Sequence, residues 1–322
     1  MMEFEIFEKK FALSPEDIPR FLNDLDRLMW EVLKRENRPG FLKKISGLVS
    51  LSDSYTELEN LIKIFRIPAD CKDIEDTVKL LKEESKEVNE RDLSKEYFAI
   101  FIDKKMFSRK NYVTILAINL DGKREILGFY EWSNWNAVFE ELRKRGLERA
   151  VLIVGRENKN LINAAMSSKI FKLYQVDWNE VKRTLTKGMK KEEASECRRK
   201  LEELKKIDSY EDILEMYENI FRSYERDYPH NFGKAMRMWN FYTAFLRFPK
   251  EVRSKISTIS TVESLETSIK KRLKKRDKLA KLLRDPLLLA FIRVKSLEER
   301  AWKTPIPIGD WVKEWLNDNY PV

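Results

Sequence analysis

The chain has 322 residues, 43% hydrophobic and 36% charged, and its 63 Lys and Arg against 54 Asp and Glu leave a formal charge of +9. That length supports two domains and a core that needs no covalent staples, and the composition excludes a disordered tail. One histidine (His230), two distant cysteines (Cys71, Cys197) and nine glycines with no nucleotide-binding fingerprint exclude a His-built zinc site, a zinc ribbon, a disulfide framework and a dinucleotide or P-loop site.

The N-terminal MMEFEIFEKKF is acidic and has no apolar signal core, and no apolar run approaches the ~18 residues of a bilayer span. The expectation is a cytoplasmic, nucleoid-associated protein without a membrane partner. Residues 1–92 read as a helical domain. Ser14 with Pro15, Glu16 and Asp17 predicts a cap and first turn for a helix running to about Lys34. Further helices are predicted over Tyr55–Phe65 and Ile74–Glu87, separated by a break at Ile67, Pro68 and Ala69. Two helices around a short break suit a DNA-reading helix-turn-helix, and equally two packed amphipathic helices with no DNA contact.

The pattern then changes. YFAIFI (Tyr97–Ile102) predicts a strand ending at Asp103, and YVTILAINL (Tyr112–Leu120) a second, followed by a hairpin signal at Asp121 and Gly122. Glu125–Tyr130 predicts a third strand, Ala137–Arg145 a helix closed by Gly146, and the apolar AVLIV (Ala150–Val154) a central buried strand. Leu161–Met166 predicts a helix and Ile170–Tyr174 a fifth strand. The order β-β-β-α-β-α-β is that of an RNase H-like core, here occupying residues 93–180 of a mixed α+β chain. From Trp178 onward the pattern is almost wholly helical. An all-helical insertion is expected over 181–255, and a helical part completing the core over 256–322. Gln175 is the only glutamine, which fits selection for high temperature.

A nuclease of this fold holds two divalent cations on carboxylates at the ends of the first and fourth strands and on a later helix. Asp103 stands at the first place, although a lone Asp there also suits a turn. No Asp follows the fourth strand, where the chain reads Gly155, Arg156, Glu157, Asn158.

Three stretches carry a family resemblance: FLRFPKEVRSKISTISTVESL (Phe245–Leu265), DGKREILGF (Asp121–Phe129), and Trp302, Lys303 and Thr304 with Trp311. In order and content they resemble the Mutator-type DDE transposases of bacterial and archaeal insertion sequences, over roughly residues 95–315. The resemblance implies that Asp103 matches the first acidic metal ligand and Glu263 the third, with Mg²⁺ or Mn²⁺ as cofactor if the site is active and none otherwise. It also exposes departures. The family's second Asp aligns with Arg156, or with Gly155 under a one-residue shift. Its Cys-x-x-His pair aligns with Val176 and Asn179, and the Asn before its catalytic Glu with Ser260. An arginine remains charged at any working pH and presents a fork that fits carboxylates. The expectation is that Arg156 pairs with Asp103, Glu263 or both, in place of a metal. The rival is that Glu157 completes the triad through a remodelled turn.

The positive charge is uneven. Lys270, Lys271, Arg272, Lys274, Lys275, Arg276, Lys278, Lys281 and Arg284 crowd residues 269–284, and Lys182, Arg183, Lys187, Lys190 and Lys191 form a second group. A solvated face is one meaning of such a run. A nearly single-signed run just after the site segment favours contact with the phosphates of double-stranded DNA. Tyr228, Trp239, Phe241, Tyr242 and Phe245, at helical spacing, suit the core of the insertion better than base wedges.

Three functions follow: a domesticated DNA-binding protein with impaired catalysis and an architectural, coating or regulatory role; an active DNA transposase using Asp103, Glu263 and Glu157; or a decayed fragment. The resemblance adds a homodimer or larger homo-oligomer, and no nucleotide cofactor is expected.

Overall fold

The computed structural model describes residues 2–6, 9–13, 18–299, 301–306, 308–310, 313–314 and 318. In chain order these form β1 (Met2–Ile6), β2 (Lys9–Leu13), α1 (Ile18–Glu36), α2 (Arg38–Leu51), α3 (Tyr55–Ile64), α4 (Cys71–Glu90), β3 (Glu96–Phe107), β4 (Lys110–Ile118), β5 (Arg124–Glu131), α5 (Trp135–Lys144), β6 (Arg149–Gly155), α6 (Lys159–Ser167) and β7 (Phe171–Val176). Helices follow: α7 (Trp178–Leu185), α8 (Lys191–Glu203), α9 (Tyr210–Tyr224), α10 (Pro229–Arg237), α11 (Trp239–Tyr242), α12 (Lys250–Ile256), α13 (Ser260–Leu273), α14 (Lys278–Leu282) and α15 (Pro286–Glu299). The chain divides into two compact units, Met1–Ser85 with Lys271–Ile292, and Lys86–Lys270 with Arg293–Val322.

In the first unit, the expectation of an all-helical start is corrected. β1 and β2 form an antiparallel hairpin with Phe4 opposite Phe11. Apolar residues alternate at Phe4 and Ile6 and again at Phe11 and Leu13, which is a strand period. The predicted cap at Ser14 lies outside the described residues. Helix α2 is an addition to the predicted set. Asn37 caps it by accepting from the Gly40 amide, Pro39 sits in its first turn, and Phe41, Ile45 and Val49 form its buried stripe. Asp73, 1% exposed, ties three helices together through Lys34 at 2.8 Å and Arg38 at 2.9 Å. Residues 269–284 divide between the end of α13 and the short α14. The Asp277 carboxylate accepts from the Ala280 amide at 3.1 Å and starts α14 afresh.

The second unit is built on a five-stranded mixed sheet of order β5-β4-β3-β6-β7. β3 pairs antiparallel with β4 and parallel with β6, and β7 continues parallel on the far side. Every residue from Tyr97 to Asp103 is buried, so both faces of the central strand are covered. Ring contacts mark the packing: Phe139 of α5 meets Phe171 of β7, and Phe98 meets Phe248 just before α12. β3 runs four residues beyond Asp103, because Lys104–Phe107 pairs with Lys110–Val113 across a two-residue turn. Ser108 and Arg109 take positive φ there, a hairpin turn made without glycine. The predicted turn after β4 is present: Gly122 at φ 77° closes it, and its carbonyl accepts from the Ile306 amide at 2.9 Å. Residues 178–256 are helical throughout apart from short connections. Trp178, Tyr242 and Phe245 are fully buried among them.

Candidate functional site

The site forms where β3, β6 and α13 converge within the second unit. Parallel register pairs Phe101 with Val154, so two residues further on Asp103 and Arg156 stand abreast and face the same side. Gly155 has no such role: a Cβ there would lie 2.6 Å from the Tyr174 hydroxyl and 3.0 Å from Leu161. The residue aimed at the site is therefore Arg156.

Arg156 reaches both acids. Its Nε donates to Asp103 Oδ1 at 3.1 Å and its Nη2 to Asp103 Oδ2 at 2.9 Å, a bidentate fork. The same Nη2 donates to Glu263 Oε1 at 2.7 Å. The hydrogen bonds it donates to Asp103 hold the guanidinium pKa well above its ordinary value, against the desolvation that opposes it. Asp103 is 2% exposed and gains a third donor from the Lys104 amide at 2.9 Å.

Glu157 faces another way. Its carboxylate accepts from the Tyr242 hydroxyl at 2.8 Å and pairs with Lys234 at 2.5 Å, both from the helical insertion. Burial, and then the Glu157 carboxylate, raise the Tyr242 pKa.

A second carboxyl, not singled out in the sequence, stands beside Asp103. Glu266 lies one helical turn past Glu263 on α13 and is 1% exposed. Thr114, the cross-strand partner of Asp103, donates to its Oε1 at 3.2 Å, while Oε2 has no partner among the described residues. Burial and then the charge of Asp103 push its pKa up to about 8. The signal for it is the i, i+3 spacing from Glu263, which places both on one helix face.

Asp177 holds these elements in position. Its amide donates to Gly155 O at 2.8 Å, its Oδ2 accepts from Glu180 N at 3.0 Å to cap α7, and its Oδ1 accepts from Ile259 N at 3.1 Å to fix the entry to α13. Val176 is buried, and Asn179 donates to Ser260 at 3.3 Å, which brings together two of the residues the sequence resemblance marks as departures.

A divalent cation of the Mg²⁺ or Mn²⁺ type needs carboxylate oxygens at about 2.0–2.2 Å with free lone pairs. Here the guanidinium already occupies oxygens of both Asp103 and Glu263 and offsets part of their charge. The donor set does not fit a pair of such cations while Arg156 holds this position. Among the described residues no group of three or more His, Cys, Asp or Glu is arranged to hold a metal.

The basic residues separate into two kinds. Arg272 and Lys275 bind Asp53 at 3.1 and 3.3 Å, Lys278 lies 3.3 Å from both the Tyr55 hydroxyl and the Cys71 thiol, and Lys182 pairs with Glu202 at 2.5 Å. Lys270, Lys271, Lys274, Arg276, Arg183 and Lys187 have no such partner among the described residues. In the first unit Lys274, Lys275, Arg276, Lys281 and Arg284 line one cavity of about 740 Å³ with no acidic residue in its wall. Of the C-terminal resemblance stretch, Trp311 lies outside the described residues and Trp302 is buried.

No helix among the described residues is long and apolar enough to cross a membrane. No curated protein matches the chain. The family model described as "Transposase, Mutator family" matches residues 65–280. That span takes in Asp103, Arg156, Glu263 and Glu266 and covers about two thirds of the sequence, and the chain belongs to the Mutator family of transposases.

Proposed function

We propose that this chain is a DNA-binding member of the Mutator transposase family, built on an RNase H-like core, whose two-metal phosphoryl chemistry is impaired. The observation that carries the proposal is the guanidinium of Arg156 shared between Asp103 and Glu263. Two-metal catalysis needs those oxygens for cations that clamp the attacking and leaving groups. A tethered organic cation offsets part of the acids' charge, yet has no open coordination position to activate water. The strand order, with three antiparallel strands followed by two parallel ones, supports the RNase H-like assignment.

DNA is held through its phosphates by the unpaired cations of the 270–276 segment and the 273–284 cavity, with Arg183 and Lys187 as a second group. Such contacts give affinity and salt dependence without reading sequence. The role is architectural, coating or regulatory, in a domesticated nucleoid protein that self-associates as the family resemblance implies.

The test mixes purified protein with labelled duplex, with and without Mg²⁺ or Mn²⁺, and reads band shift and strand cleavage together. A salt-sensitive shift that needs no metal, with intact strands, is the expected result. Metal-dependent nicking that disappears in Asp103→Ala would overturn the impairment. Arg156→Asp is expected to gain Mn²⁺ binding measurable by calorimetry, and tight Mn²⁺ binding by the unaltered protein would refute the role given to Arg156.

A further inference from the structure

The second unit carries another opening at the same edge of the sheet. Alternation along β3 sends Lys104 to the face opposite Asp103. There it enters the wall of a cavity of about 570 Å³ with Trp132 and five asparagines, and no Asp or Glu lines it. Five of the chain's seventeen asparagines meet here, in a protein with a single glutamine. Asn134 and Asn158 spend their side-chain oxygens capping α5 and α6. Asn136, Asn160 and Asn163 are exposed, and none makes a side-chain hydrogen bond among the described residues.

Trp132 sets the character of the cavity. Lys104 Nζ stands 3.9 Å above its ring, and Trp135 braces it edge-on with centroids 6.2 Å apart. Its indole Nε1 is shielded from solvent and has no partner among the described residues. The ring face under Lys104 becomes available to a planar group when the flexible ammonium swings away toward a neighbouring anion. Free carboxamides surround it, each with one acceptor and two donors. A planar group edged with both donors and acceptors and attached to an anion matches this set. A nucleobase on its phosphodiester strand is such a group.

We infer that this cavity takes one unpaired nucleotide of a DNA strand, its base stacked on Trp132, its edge met by Asn160 and Asn163, and its phosphate met by Lys104. The inference rests on the DNA-binding reading above. A strand is favoured over a free nucleotide because, among the described residues, Lys104 is the only cation in the wall, too little to hold a free phosphate tail.

The test compares a labelled perfect duplex with the same duplex carrying one unpaired central nucleotide, by fluorescence anisotropy with the full chain at fixed salt. Unaltered protein is expected to bind the bulged duplex roughly tenfold tighter, the scale of a single base–aromatic stack. Trp132→Ala should bring the two affinities together, Trp132→Phe should keep part of the difference, and the exposed pair Asn160→Ala with Asn163→Ala should reduce it. Millimolar free mononucleotide should leave the preference intact. Equal affinities in the unaltered protein, a preference that survives both Trp132→Ala and the double Asn substitution, or its loss to free mononucleotide would each overturn the inference while leaving duplex binding standing. Failure to bind either DNA would overturn the DNA-binding reading and this inference with it.

Discussion

Replacing Arg156 with methionine removes the guanidinium and keeps most of the aliphatic stem. Three charge-assisted hydrogen bonds disappear, two to Asp103 and one to Glu263. Breaking a fully buried ion pair from one side costs about 3–5 kcal/mol. This pair is only partly buried: the Asp103 side chain is 3% exposed, but that of Arg156 is 28% and that of Glu263 is 36%. Solvent screening reduces the Glu263 arm to about 1 kcal/mol or less. The Asp103 arm keeps about 2 kcal/mol, because its acid cannot regain water. The sum, about 3 kcal/mol, lowers the Tm of a unit of this size by roughly 6–12 °C. The assay is urea and thermal unfolding of R156M, D103N and the double variant. D103N removes the charge that Arg156 serves, so the double-mutant cycle should return a coupling of about 2 kcal/mol. A Tm within 1 °C of the parent for R156M, or a coupling near zero, would refute the claim that this contact stabilises the site.

Glu266→Gln should change how stability depends on pH. A carboxyl that moves from about 4.5 unfolded to about 8 folded holds a proton only in the native state across that window, so native stability falls as pH rises through it. Glutamine has no proton to lose, so the slope measured by urea unfolding between pH 5 and 8 should flatten, and an unchanged slope would contradict the assignment. Lys274→Ala and Arg276→Ala should each reduce the slope of log K against log salt by about one, without a change in unfolding. Arg272→Ala should instead destabilise the first unit, because that guanidinium anchors Asp53 and the Ser52 carbonyl. Gly122→Ala places a Cβ 2.0 Å from the Ile306 carbonyl at φ 77°, and a loss of more than about 1 kcal/mol in urea unfolding is expected.

How much of this is legible without coordinates depends on what each residue's neighbours are. Asp103 and Arg156 are readable because their strands announce themselves: YFAIFI and AVLIV are long apolar runs, and parallel register turns strand ends into spatial neighbours. Glu263 needs the family resemblance, since a helix start carries no mark that it returns to a sheet 160 residues earlier. Glu266 hides in a helix rich in charge. Only burial separates it from the solvated acids around it, and burial is a tertiary property. Helix α2 is masked by Pro39, Gly40 and Gly47, which read as breakers although one caps turn and one stripe of three apolar residues suffice. The basic run from 269 to 284 leaves open where a helix ends and the next begins, because charge has no directional signature. The Asp277 cap that divides it, and the Asp53 contact that occupies Arg272, become visible only in three dimensions.

A cation that is part of the chain cannot be titrated away. If the charges of Asp103 and Glu263 were balanced by exchangeable ions, the end of the sheet would loosen with every fall in ion supply, and a chelator would act on it as a mild denaturant. With the guanidinium in that place the balance is encoded once, at translation, and is indifferent to the ionic history of the cell. Glu157, the neighbouring acid, is committed to Lys234 and Tyr242, so loss of Arg156 would leave the Asp103 and Glu263 carboxylates to repel each other without that cation.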